Sequence, residues 1–153
     1  MARTGGMWAA LALAGCAAVP AERPVSPAEP GAPLSVLRPP PPGARTAEAF
    51  DTTTPAERAA ATAAPRAPEA LLGRTVASLG DPADPGFWAV TPLVARVQPG
   101  RLVDSATGFS VLVELRPREA EAGAGTLVSL PALRALGVPL TALREISVFG
   151  AAP

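Results

Sequence analysis

Phe109-Ser110-Val111-Leu112-Val113-Glu114-Leu115 carries the clearest alternation in the chain. Val111, Val113 and Leu115 fall on one side of an extended chain, and Ser110, Leu112 and Glu114 on the other, the period of a strand with one buried face. Shorter runs of similar texture surround it at 74–79, at 87–97 with a break at Pro92, at 101–104 and at 145–149. Gly, Pro and Asp separate them, most densely in Asp81-Pro82-Ala83-Asp84-Pro85-Gly86. Ser129-Leu130-Pro131-Ala132-Leu133-Arg134-Ala135-Leu136-Gly137 reads as one short helix. Ser129 is its N-cap, Leu130, Leu133 and Leu136 form its buried face, and Gly137 stops it. Five or six short strands and one helix in about 80 residues predict a mainly β domain, a small β-barrel, over 71–153. Phe87, Trp88, Phe109 and Phe149 are expected to supply much of its core.

The texture of the sequence changes before Leu71. The chain has 20 Pro and 14 Gly among 153 residues. Most of the prolines lie at or before Pro68, including the run Pro39-Pro40-Pro41-Pro42. A segment of Ala, Pro, Glu and Thr buries too little apolar surface to offset chain entropy. Residues 16–70 therefore read as a disordered, partly polyproline-II linker, about 50 residues that would span roughly 150 Å if fully extended. Within it, Thr54-Pro55-Ala56-Glu57 has a capping-box Thr, Pro at the first helical position and Glu three residues after the cap, which predicts a short helix near 55–64. Phe50 is the linker's only aromatic residue. It could dock a partner, or pack with the helix on its own domain.

At the amino terminus, Arg3 precedes an apolar run from Met7 to Ala14, followed by Leu13-Ala14-Gly15-Cys16. That order is expected of a secretory signal. The run is shorter than the about 20 apolar residues a membrane span needs. Leu13-Ala14-Gly15-Cys16 resembles the bacterial lipobox, which implies a lipoprotein signal peptide at 1–15 and acylation, as with palmitate, at Cys16. Each buried CH₂ of an acyl chain contributes about 0.8 kcal/mol, so two or three chains hold a protein durably at a membrane. Ala17 after the cysteine resembles lipoproteins sorted to the outer membrane, facing the periplasm.

The charges balance, 13 basic against 13 acidic. Every basic residue is Arg, and His, Lys, Tyr and Asn are absent. No cationic excess is left to neutralise a phosphate backbone, which disfavours nucleic acid. Imidazole and amine bases, Schiff-base lysines and His/Cys metal sites are excluded, and a single Cys allows no internal disulfide. No cofactor or metal is expected. An enzyme built from these residues would need a carboxylate of raised pKa acting on a glycosidic bond, and Asp104 and Glu114, at or near strands, are the candidates. Asp81 and Asp84 read as turn residues, and Glu119 and Glu121 as solubilising. Arg116 and Arg118 could recognise carboxylates of a peptide stem.

Gly108-Phe109-Ser110-Val111-Leu112-Val113, a loop, and then Val128-Ser129-Leu130 through Leu136-Gly137 resemble the second half of the double-psi β-barrel domain of rare lipoprotein A proteins. That family has a Gly-x-Ser-Val-x-Val strand, then an Asp-Leu-Ser helix start ending in Leu-Gly, then a last strand. The resemblance covers about 45 residues well and about 80 loosely, and its motifs are mostly structural. The family's Asp-Arg-Gly-Pro turn and its His, associated with peptidoglycan cleavage, have no counterpart here. The turn reads Leu115-Arg116-Pro117-Arg118-Glu119, Leu127 stands for the helix-start Asp, and the chain has no His. The resemblance thus implies a retained scaffold with lost chemistry: a non-catalytic binding or scaffolding domain that contacts peptidoglycan or an envelope protein. Short lipoproteins of this kind sometimes carry the name of a sugar-acid dehydratase such as galactarate dehydratase. Such an enzyme is much larger and needs a base for an α-proton, and no convincing one is present.

Overall fold

The computed structural model describes residues 37–121 and 123–152. The segments expected as a signal peptide and lipobox, with Cys16, lie outside the described residues, as does the part of the expected linker up to residue 36.

Six strands form a closed barrel: β1 (Glu69–Leu79), β2 (Trp88–Thr91), β3 (Gln98–Asp104), β4 (Ser110–Pro117), β5 (Thr126–Val128) and β6 (Arg144–Ala151). Around the barrel the order is β1-β5-β2-β4-β3-β6. Two contacts are parallel, β1 with β5 and β2 with β4, and the other four are antiparallel. Advancing every strand number by three, with 4, 5 and 6 returning from 1, 2 and 3, leaves this pairing scheme unchanged. The barrel is two interlocked three-strand halves related by a pseudo-twofold axis. The mainly β reading holds, and three helical segments accompany the strands: α1 (Ala47–Phe50), α2 (Pro55–Ala61) and α3 (Leu130–Ala135).

The alternating stretch becomes β4. Val111, Val113 and Leu115 are buried, and Glu114 between them is exposed. Leu102 from β3, Ile146 and Val148 from β6, Val128 from β5, and Leu133 and Leu136 from α3 and its end complete an aliphatic core. Aromatic residues contribute less than expected. Trp88 is buried, Phe87 packs on the core from its edge, and Phe149 is half-buried. Phe109 is 58% exposed, because it sits one residue before β4 at the turn.

Close backbone approach explains two glycines. A Cβ on Gly100 would meet the Leu115 side chain and lie 2.5 Å from the Phe149 carbonyl oxygen. On Gly80 it would lie 2.5 Å from the Trp88 ring, so that glycine gives Trp88 its place.

From Leu37 onward the segment expected as disordered linker is laid against the barrel. The helix expected near 55–64 is α2, with the Thr54–Glu57 capping box intact. Ala61 is buried in the core cluster. The Asp51 side chain is 4% exposed and meets Arg134 of α3 at 3.1 Å. Arg134 also pairs with Glu48 of α1, at 3.1 Å. Composition hides this docking, because the partner groups lie more than 80 residues away along the chain.

Candidate functional site

The two candidate carboxylates are placed apart and on opposite faces. Asp104 ends β3 pointing inward, and Glu114 lies in β4 pointing out. Pro99 of β3 is the register partner of Glu114. Asp104 is five residues further along, so the two backbones are roughly 16 Å apart at a strand rise of ~3.3 Å per residue. Paired glycosidase carboxylates are at most about 9.5 Å apart.

Asp104 is engaged in the turn that follows β3. Its Oδ1 accepts from the Ala106 N–H at 3.0 Å and its Oδ2 from the Thr107 hydroxyl at 2.9 Å. Its backbone N–H donates to the Phe109 carbonyl, and its own carbonyl accepts from the Gly108 N–H, each at 2.9 Å. The Arg144 guanidinium stands 3.9 Å away. With side-chain acceptors on both oxygens occupied and 1% exposure, this carboxylate braces a turn.

Arg116 and Glu114 form a second constellation, together with Asp84 and Trp88. Parallel pairing of β2 with β4 sets Trp88 beside Glu114, and Val90 beside Arg116. Arg116 donates to Asp84 and to Glu114, both at 2.7 Å, and its guanidinium lies 5.3 Å from the Trp88 ring centre. Burial opposes its charge, but the hydrogen bonds and negative charges of Glu114 and Asp84 outweigh that effect and hold its pKa above the ordinary arginine value. Asp84, read from sequence as a turn residue, is thus also an ion-pair partner. Its carbonyl accepts from the Trp88 indole N–H at 3.1 Å.

Arg118 is also spent internally. Its guanidinium donates to the carbonyls of Ala124 at 2.8 Å and Gly125 at 3.1 Å, which pins the β4–β5 loop. Phe50 is half-buried at the end of α1, next to Asp51, whose side chain is covered. Arg116 and Arg118 are therefore not brought together on one ligand.

Sequence reasoning missed three arrangements. Thr126 donates to Thr91 at 2.9 Å and lies 3.3 Å from Thr75, a hydroxyl chain linking β5, β2 and β1 with Thr91 and Thr126 fully buried. Ser129, although at the N-cap position, does not cap α3, and its hydroxyl instead accepts from the Trp88 backbone N–H at 3.1 Å. Arg101 bonds Glu69 at 2.6 Å and lies over the Phe149 ring at 4.7 Å.

Among the described residues no group of three or more His, Cys, Asp or Glu could hold a metal, and no helix is long and apolar enough to cross a membrane. A notch between the amino-terminal arm and the barrel is lined by Leu37, Arg38, Thr52, Thr53, Glu57, Pro85 and Gly86, and has room for about one water. No protein-family model, curated protein or solved structure matches this chain.

Proposed function

We propose that this chain is a lipid-anchored protein of the bacterial cell envelope, acylated at Cys16, whose barrel works by binding or scaffolding rather than catalysis. The observation that carries the reading is the position of the single cysteine, directly after the apolar run in Leu13-Ala14-Gly15-Cys16. A cysteine so modified anchors by hydrocarbon burial and is no longer a nucleophile. Placement in the outer membrane, facing the periplasm, follows from Ala17 after the cysteine.

Two features support the binding half of the reading. Asp104 is held by turn hydrogen bonds and Glu114 by Arg116, on opposite faces of the barrel wall. The pseudo-twofold pairing of two three-strand halves, with two parallel contacts, supports the barrel part of the reading, while kinship with rare lipoprotein A rests on the sequence resemblance alone. Peptidoglycan or an envelope protein is the partner class that kinship suggests.

The test is labelling of cells with a palmitate analogue, comparing wild type with Cys16→Ala. Label in the wild type and none in the variant supports the anchor, and absence from both refutes it. Release of soluble fragments from peptidoglycan by the purified protein, abolished by Asp104→Asn or Glu114→Gln, would refute the non-catalytic reading.

A further inference from the structure

The barrel is closed, yet one long strand is paired along only part of one side. On one side β1 pairs with β6 from Glu69 to Ala77, and on the other it pairs with β5 only from Ala77 to Leu79. Among the described residues no backbone hydrogen bond outside these two ladders reaches 70–76, and the Ala77–Thr126 register engages the Val76 carbonyl from β5. Successive residues of a strand direct N–H and C=O to alternate sides. Apart from the Val76 carbonyl, the groups of this stretch that point away from β6 therefore lack a described backbone partner.

The pseudo-twofold axis shows why this edge differs from its counterpart. The equivalent of β1 is β4, which pairs with β2 only from Glu114 to Pro117. There α2 and α3 both pack against β4. The helix α3 lies between β5 and β6, and its equivalent position, between β2 and β3, holds only the turn Pro92-Leu93-Val94-Ala95-Arg96-Val97. Leu93 from that turn supports Gly73 from beneath, where a Cβ would lie 3.2 Å from it. No helix packs against β1 to the extent that two pack against β4.

Side chains beside this edge are exposed and mixed. Leu71 is 55% and Val76 47% exposed. Between them the Arg74 side chain is 70% exposed, and its ion pair with Glu145, at 3.9 Å, is long. Sheet edges are usually guarded by Pro, Lys or a bulge. Neither Pro nor Lys occurs from Glu69 to Val76, and the bulge between Leu71 and Gly73 leaves 73–76 regular.

We propose that the free side of β1 at 73–76 takes up an extended peptide segment of a partner protein by main-chain pairing. The favoured segment sets a carboxylate opposite Arg74 and aliphatic side chains beside Leu71 and Val76. This rests on the binding reading of the barrel and names the chemistry of its partner. A second copy is the poorer occupant, since antiparallel pairing about Arg74 opposes two like charges. The chain's own 17–36 is poorer still: Pro20, Pro24, Pro27, Pro30 and Pro33 remove ladder donors at every third or fourth position. Gly125 closes the upper end, since a Cβ there would lie 3.0 Å from the Val76 carbonyl oxygen.

The test titrates the purified chain with two fluorescent peptides, Val-Thr-Glu-Thr-Val and Val-Thr-Arg-Thr-Val, and follows anisotropy and backbone hydrogen exchange. The acidic peptide should bind about tenfold more tightly, as cross-strand charge pairs of either sign imply. Amides in 73–76 should slow in exchange. Arg74→Glu, a surface change, should invert the preference while leaving the thermal midpoint in place. Equal binding of both peptides, no binding of either, an unchanged preference in Arg74→Glu, or protection confined to other strands would each overturn the proposal. Acylation at Cys16 is read by the palmitate label alone, so failure here leaves the anchor standing.

Discussion

Replacing Asp104 by alanine separates a bracing carboxylate from a reactive one. The side chain is 1% exposed and makes two hydrogen bonds, to the Ala106 N–H at 3.0 Å and the Thr107 hydroxyl at 2.9 Å. Bonds to a charged group contribute about 1.5–3 kcal/mol each. Both partners sit on exposed residues and regain water when released, so the lower end applies and the expected loss is about 3 kcal/mol. A domain of this size has about 5–10 kcal/mol in total. At about 4–8 °C per kcal/mol the thermal midpoint should fall by roughly 12–24 °C. Asp104→Asn keeps an acceptor for the Ala106 N–H, and the Thr107 hydroxyl can rotate to accept from the new amide, so it should cost about 1 kcal/mol or less. Urea unfolding of the two variants measures both. Equal losses, or an alanine variant within about 0.5 kcal/mol of wild type, would show that the turn does not depend on this carboxylate.

Gly100→Ala should be among the most damaging small changes, at about 3 kcal/mol or more, because the added methyl meets a neighbouring backbone carbonyl 2.5 Å away that cannot turn aside; a thermal melt reads it. Phe109→Ser should change stability by about 1 kcal/mol or less, since the ring is more than half exposed; a loss of 3 kcal/mol, typical of a core aromatic, would contradict its placement. Asp51→Ala should free the arm while sparing the barrel, because α1 has no buried residue and α2 only Ala61. Trypsin should then cut faster after Arg45, Arg58 and Arg66, with the fragment beginning near residue 67 still folded by circular dichroism.

Elements that carry their own local signal were legible in the sequence. The alternation across Ser110–Pro117 marked β4, the Thr54–Glu57 box marked α2, and Gly137, with φ +69, ended the helix after Leu136. Elements defined by what lies opposite them were not. The strand β5 has only three residues, Thr126–Val128, too few to show a period, and it exists because β1 and β2 flank it. The strand β1 begins five residues before the expected 74, at Glu69, where pairing with β6 rather than propensity sets the start. The docking of 37–68 followed the same rule: Pro-rich composition indicated disorder, while Ala61 and Asp51 found partners on the barrel. Among candidate site residues, Glu114 and Arg116 were brought together, but as each other's partners.

That pairing bears on what such a chain can recognise. Without His or Lys, polar recognition must come chiefly from Arg, carboxylates, hydroxyls, the Gln98 amide or the main chain. Arg58, Arg101, Arg116, Arg118 and Arg134 each hold an acidic side chain or a loop carbonyl in place. The buried hydroxyls of Thr91 and Thr126 are joined to each other. These bonds stabilise a small barrel whose aliphatic core is modest, and each one removes a group from ligand binding. Arg74 of β1 is held only by a long, exposed pair with Glu145 and stands beside main chain without a described partner. A barrel that commits its side chains to bracing can still recognise through its backbone, because N–H and C=O groups on an open strand need no special residue type. Recognition of that kind tolerates broad side-chain substitution on the partner, with Arg74 supplying selectivity, so a charge reversal there should change which peptides bind before it changes whether the barrel folds.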